Sequence, residues 1–76
     1  MEVAYVLIKT VHGKLKIVSS KLESFSEVDE LDEVFGQYDI IIKVLTENRG
    51  EMKRFLQNKL LILEGIQSTE TLMVFN

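Results

Sequence analysis

Seventy-six residues are enough for one domain, and 46% apolar with 28% charged residues is the make-up of an ordinary soluble globule. Nine basic against twelve acidic side chains leave a net charge of −3, without the cationic surplus that binding a phosphate backbone requires. The lack of cysteine excludes a disulfide framework and thiolate metal sites, and no apolar run approaches a secretory leader or a membrane span, so a cytoplasmic protein is expected.

Val3-Ala4-Tyr5-Val6-Leu7-Ile8 is β-branched, aromatic and apolar at both parities, the pattern of a strand buried on two faces, and His12-Gly13 breaks it. From Lys14 the period changes. Leu15, Val18, Leu22 and Phe25 form a helical stripe, with Lys14, Lys16, Lys21 and Glu23 outside it. Val28 to Phe35 reads as a second strand loaded with Asp29, Glu30, Asp32 and Glu33. Gly36-Gln37 fits a two-residue hairpin turn, glycine first, where positive φ carries no penalty. Tyr38 to Thr46 returns as a strongly apolar strand. Asn48 followed by Glu51 resembles a capping box, and Met52, Phe55, Leu56, Leu60 and Leu63 make the next helical stripe, stopped by Gly65. Leu61 falls on the polar side of that helix, as a single exposed leucine. Ser68 to Phe75 is the last strand.

Strand, helix, strand, strand, helix, strand with two right-handed crossovers predicts an α+β, ferredoxin-like βαββαβ fold. Its four-stranded antiparallel sheet carries both helices on one face. The first and third strands belong in the centre and the acidic second at an edge, where charge discourages unwanted pairing. If Ala4, Val6, Ile8, Ile40, Ile42, Val44, Leu72 and Val74 face the helices, then Tyr5, Leu7, Ile41, Leu45, Met73 and Phe75 face away. Burying six such side chains is worth on the order of 9–18 kcal/mol before entropy. A domain this small hides only about 60% of its unfolded surface. A homodimer packed sheet to sheet is therefore expected.

Few residues offer chemistry. His12 lacks a partner of its kind and reads as a loop histidine. The acids of the second strand alternate between faces and do not converge on a cation. No nucleophile–base pair, P-loop, dinucleotide fingerprint or zinc spacing is present, so neither enzyme activity nor a metal or cofactor is expected. The third strand also lacks the aromatic platform of RNA-binding sheets. Gly36-Gln37-Tyr38-Asp39 and the hydroxyls of Thr69 and Thr71 remain. The turn either simply closes a hairpin or presents free amides to a carboxylate, with Asp39 as an ammonium acceptor. Thr69 and Thr71 share one face of their strand, either for β-propensity or to address one ligand. Turn and last strand can meet only near a sheet end or across a subunit boundary.

Ala4 to Thr10, Gly13-Lys14-Leu15, Glu33 to Ile40 and Gly65 to Thr71 together resemble the ligand-binding domain of the Lrp/AsnC feast/famine transcription regulators. The resemblance covers nearly the whole chain, and its most specific part is the pairing of G-x-Y-D with the later T-x-T. It implies dimers joined through their sheets, dimers assembled into rings, and an amino-acid effector bound between dimers. Carried over by position, Gly36, Gln37, Tyr38 and Asp39 would line the pocket from the turn, with Thr69 and Thr71 from the strand. The usual member carries an N-terminal helix-turn-helix, whereas this chain opens at the first strand. The resemblance is thus to stand-alone versions of the domain, a single unit over residues 1–76 that partners full-length Lrp/AsnC regulators without gripping DNA itself. Purely structural interaction with such regulators, an ACT-type regulatory domain and a dimeric α/β-barrel enzyme are the competing readings.

Overall fold

The computed structural model describes residues 1–75. Its elements are β1 (Glu2–Thr10), α1 (Leu15–Glu23), β2 (Val28–Glu33), β3 (Ile40–Thr46), α2 (Arg49–Phe55) and β4 (Ile66–Met73). The sheet runs β2-β3-β1-β4 with every neighbouring pair antiparallel, so the two most apolar strands are central, as expected. Ala4, Val6, Ile8, Ile40, Ile42 and Val44 turn to the helices and are fully buried with Val18 and Leu22 of α1 and Met52 and Phe55 of α2. Phe25 lies just past the end of α1 yet still packs, edge-on to Phe55 with ring centroids 5.7 Å apart.

The second helix begins where Asn48 Oδ1 accepts the Glu51 amide at 2.9 Å, one arm of the anticipated box. After Phe55 it widens into a π-helical turn, Leu56–Leu60, closed by Leu61 N–H donating to the Leu56 carbonyl at 3.0 Å. The wider turn brings Leu60 into the core and leaves Leu61 outside, more than half exposed.

Two expectations need correcting. The link between β2 and β3 is not a two-residue turn. β2 ends at Glu33, and Val34 N–H donates to the Asp39 carbonyl at 2.9 Å across a four-residue loop, Phe35 to Tyr38. The cause is distant in sequence: the Asp39 amide donates to Ile8 O at 2.9 Å, tying this end of the hairpin to β1 instead of letting it fold tightly on β2. Gly36 does adopt positive φ, +122°.

The second correction concerns which way β4 faces. Ile8, Val6 and Ala4 pair with Thr69, Thr71 and Met73, so those three face the helices, while Leu72 pairs with Tyr5 on the open side. Leu72 and Val74 were expected inward and Met73 outward. The register shifts between Lys9–Ser68 and Thr10–Ile66, leaving Gln67 as an extra residue in β4. A one-residue bulge inverts every side chain beyond it. Since Leu72 to Phe75 are apolar at both parities, composition did not reveal the inversion.

The open face still carries an apolar patch. Val3, Tyr5 and Leu7 of β1 lie between Ile41 and Leu45 of β3 on one side and Leu72 on the other. Val74 extends the patch, its amide donating to Val3 O at 3.0 Å. Lys9, Lys43, Glu30, Asp32 and Glu70 share this face by register and surround it. The acidic edge does not converge on a cation: Glu33 turns to the helix side and pairs with Lys16 at 2.9 Å, and Glu30 approaches Lys43 at 4.0 Å.

Candidate functional site

The turn and β1 meet at one end of the sheet. Phe35, Gly36 and Gln37 are exposed at the loop tip. Asp39 Oδ2 accepts two hydrogen bonds, from the Thr10 backbone N–H at 2.8 Å and the Thr10 hydroxyl at 3.0 Å. Those two bonds, the amide first, and then the charge of Lys9 hold the Asp39 carboxyl below its ordinary value, so it is ionised at neutral pH. Among the described residues no donor meets Oδ1, which keeps an acceptor available. Asp39 borders a polar cleft of about 340 Å³ lined also by Lys9, Thr10, His12, Gly13 and Gln67.

Tyr38 takes a different path. Its hydroxyl donates to Glu70 Oε1 at 2.7 Å, so the side chain spans β1 and bridges the turn to β4 on the open face. The Glu70 carboxylate favours the neutral phenol and raises the Tyr38 pKa.

Thr69 and Thr71 lie elsewhere. Paired with Ile8 and Val6, they point to the helix side of β4 and line a groove of about 470 Å³ against α2 and its π-helical turn. Within one subunit, then, Gly36, Gln37, Tyr38 and Asp39 form one group at the end of the sheet and Thr69 with Thr71 another on the helix side of β4. No group of three or more His, Asp or Glu side chains among the described residues is placed to hold a metal.

The model of the Lrp/AsnC ligand binding domain matches residues 3–76. The chain belongs to the Lrp/AsnC family. It is 38% identical over 71 residues to the HTH-type transcriptional regulator FL11 of Pyrococcus furiosus, across 93% of this chain and 46% of that protein. It thus spans about half the length of the curated relatives it matches. Among solved structures, FFRP-DM1 superposes with a TM-score of 0.96 at 35% identity, over 99% of this chain and 100% of that one. The fold is also shared, at 14% identity and a TM-score of 0.87, by a Neisseria meningitidis transcriptional regulator solved in complex with L-Met, over 99% of this chain and 50% of that one. The curated relatives are transcription regulators rather than enzymes.

Within this Lrp/AsnC domain, sequence reasoning found the turn but missed Lys9, Thr10 and Gln67 beside it. A signal for two of them existed. The β1–β3 register that pairs Ile8 with Ile40 continues to Lys9 beside Asp39, with Thr10 next along the strand. Gln67 gave no comparable signal, because its position follows from the bulge.

Proposed function

We propose that this chain is an amino-acid-responsive oligomerisation module that acts on Lrp/AsnC transcription regulators in the cytoplasm. The observation carrying the reading is that the Gly36–Asp39 loop, at the Thr10 end of the sheet, and the Thr69/Thr71 pair, on the helix side of β4, share no cavity within a subunit. A ligand touching both groups must lie between subunits. Its occupancy is then linked to assembly: whichever arrangement binds it more tightly gains population. The free Asp39 oxygen suits an ammonium group, the loop amides suit a carboxylate, and exposed Gln37 is placed to tune side-chain choice. The uncovered apolar face supports a sheet-to-sheet dimer as the building block, with dimers joining into rings. The Neisseria meningitidis neighbour, bound to L-Met, adds support for an amino acid as the ligand class.

Calorimetry with each of the twenty amino acids, alongside light scattering, tests this. At least one binds at millimolar concentration or better and shifts the assembly. An intact oligomer that binds none of them defeats the sensing role. A purely structural role is favoured by one observation, the Thr10 clasp, which gives Asp39 a use without any ligand. Under that reading Asp39→Ala keeps its assembly and there is no amino-acid response to lose.

A further inference from the structure

We propose that the groove between α2 and β4 binds a small monocarboxylate with a branched apolar tail, such as a 2-oxo acid, within a single subunit. This goes beyond the reading above and does not need the Gly36–Asp39 turn.

The two ends of the groove differ in character. β3 ends at Thr46 opposite Glu2, and Met73 pairs with nearby Ala4, so α2 starts at the Met73 end of β4 and runs toward Thr69. Arg49 and Lys53 therefore stand at the Met73 end, and Leu60 and Leu61 at the other, with Met52 and Leu56 between. Arg49 and Lys53 are one helical turn apart on the same face, where like charges repel. Neither forms an ion pair among the described residues, and the same is true of Lys21 and Arg54 on the helices, whereas Lys16 and Lys59 are paired. An anion between them relieves the repulsion, and an Arg–Lys pair suits a carboxylate. Thr71 and Thr69 add hydroxyls along the opposite wall.

The rest of the lining sets the ligand class. Met52, Leu56, Leu60, Leu61 and Met73 supply apolar surface, and no acidic side chain borders the groove. An amino acid's ammonium would find no counter-charge and would face Arg49 and Lys53. The same acid with an oxo group in place of the amine avoids that repulsion, and its oxygen accepts from a threonine hydroxyl. The volume, about 470 Å³, fits a molecule of this size. The π-helical turn supports a built site as well. Leu56, Gln57 and Leu60 of that turn all line the groove, and such turns in α-helices concentrate where ligands bind.

The test is a titration of the ¹⁵N-labelled chain with 4-methyl-2-oxopentanoate, L-leucine and isoamylamine, followed by amide shifts and calorimetry. The oxo acid should perturb Lys53 to Leu61 and Thr69 to Met73, L-leucine should bind there about tenfold more weakly, and the amine not at all. The Arg49→Gln/Lys53→Gln double variant, both positions being exposed, should weaken the oxo acid by at least about tenfold. Thr71→Val should cost several-fold. The proposal is overturned if no oxo acid binds, if the double variant binds it unchanged, or if groove shifts follow only protein concentration, which would make the groove a contact between copies. Oxo-acid shifts confined to Gly36–Asp39 would overturn this site, whereas L-leucine shifts at Gly36–Asp39 together with Thr69 and Thr71 would sustain the amino-acid reading.

Discussion

Asp39 and Tyr38 are adjacent, and pH acts on them in opposite directions. Thr10 lowers the Asp39 pKa, so the folded chain holds this proton less tightly than the unfolded one does. The clasp therefore stabilises the fold above the unfolded carboxyl value of 3.8, and the gain disappears as acid titrates the folded group. Asp39→Asn should lower the urea midpoint at neutral pH, and its deficit against the parent should close once acid has carried the pH down through the lowered pKa of the folded carboxyl. Parallel midpoints from neutral pH down to that point would remove the clasp from the stability of the fold. The Tyr38 shift is upward, so its bond to Glu70 contributes fully below 10.0 and is lost as alkali titrates the folded phenol. Tyr38→Phe should therefore lower the urea midpoint at neutral pH, the deficit closing as alkali titrates the parent's phenol.

Among the elements, the glycine-marked corners differ in how much they tolerate. Gly36 and Gly65 both hold positive φ, +122° and +99°. A Cβ at Gly36 meets nothing, whereas one at Gly65 would lie 2.8 Å from Val18 Cγ2 and 3.1 Å from Lys14 Cβ. Gly65 O also accepts the Val11 amide at 2.7 Å, fixing the β1–α1 loop. Gly36→Ala should cost about 1 kcal/mol of backbone strain, and Gly65→Ala clearly more, because the wall of the core must move as well. Equal urea midpoints for the two variants would remove close packing as the reason for Gly65. These corners and the helical stripes were legible because local rules govern them: a left-handed residue, a period near 3.6, an asparagine cap. β1 and β3 were legible as the central strands, though β1 extends to Glu2–Thr10, β3 begins at Ile40 rather than Tyr38, and apolar residues at both parities left the inner set conditional. The hairpin length and the facing of β4 were not. One depends on Asp39 reaching a strand about thirty positions earlier, and the other on a bulge within a strand whose C-terminal end alone is apolar, at both parities. The same bulge split the candidate site, since Thr69 and Thr71 could be read together but not located relative to the turn.

For the whole molecule, the short axis is 17 Å, about the depth of one helix layer on one sheet. Among the described residues nothing covers the second face, where Tyr5 and Leu72 remain 38% and 48% exposed. Tyr5→Glu or Leu72→Glu should convert the assembly to monomers by light scattering, because two copies would then bury opposed carboxylates. Phe75→Ser, at a fully exposed position beyond β4, should leave the assembly size unchanged. An unaltered oligomer in both glutamate variants would locate the subunit contact elsewhere. The supernumerary Gln67 then has a consequence out of proportion to its size. Were that residue instead paired with Lys9 in an unbroken ladder, the outer ribbon would turn inside out, bringing the hydroxyl-bearing residues to the association surface and driving leucine and valine beneath the helix. Pocket and assembly would be lost in one step, so what keeps these two roles apart in so small a chain is a single unpaired residue between a glycine and a threonine.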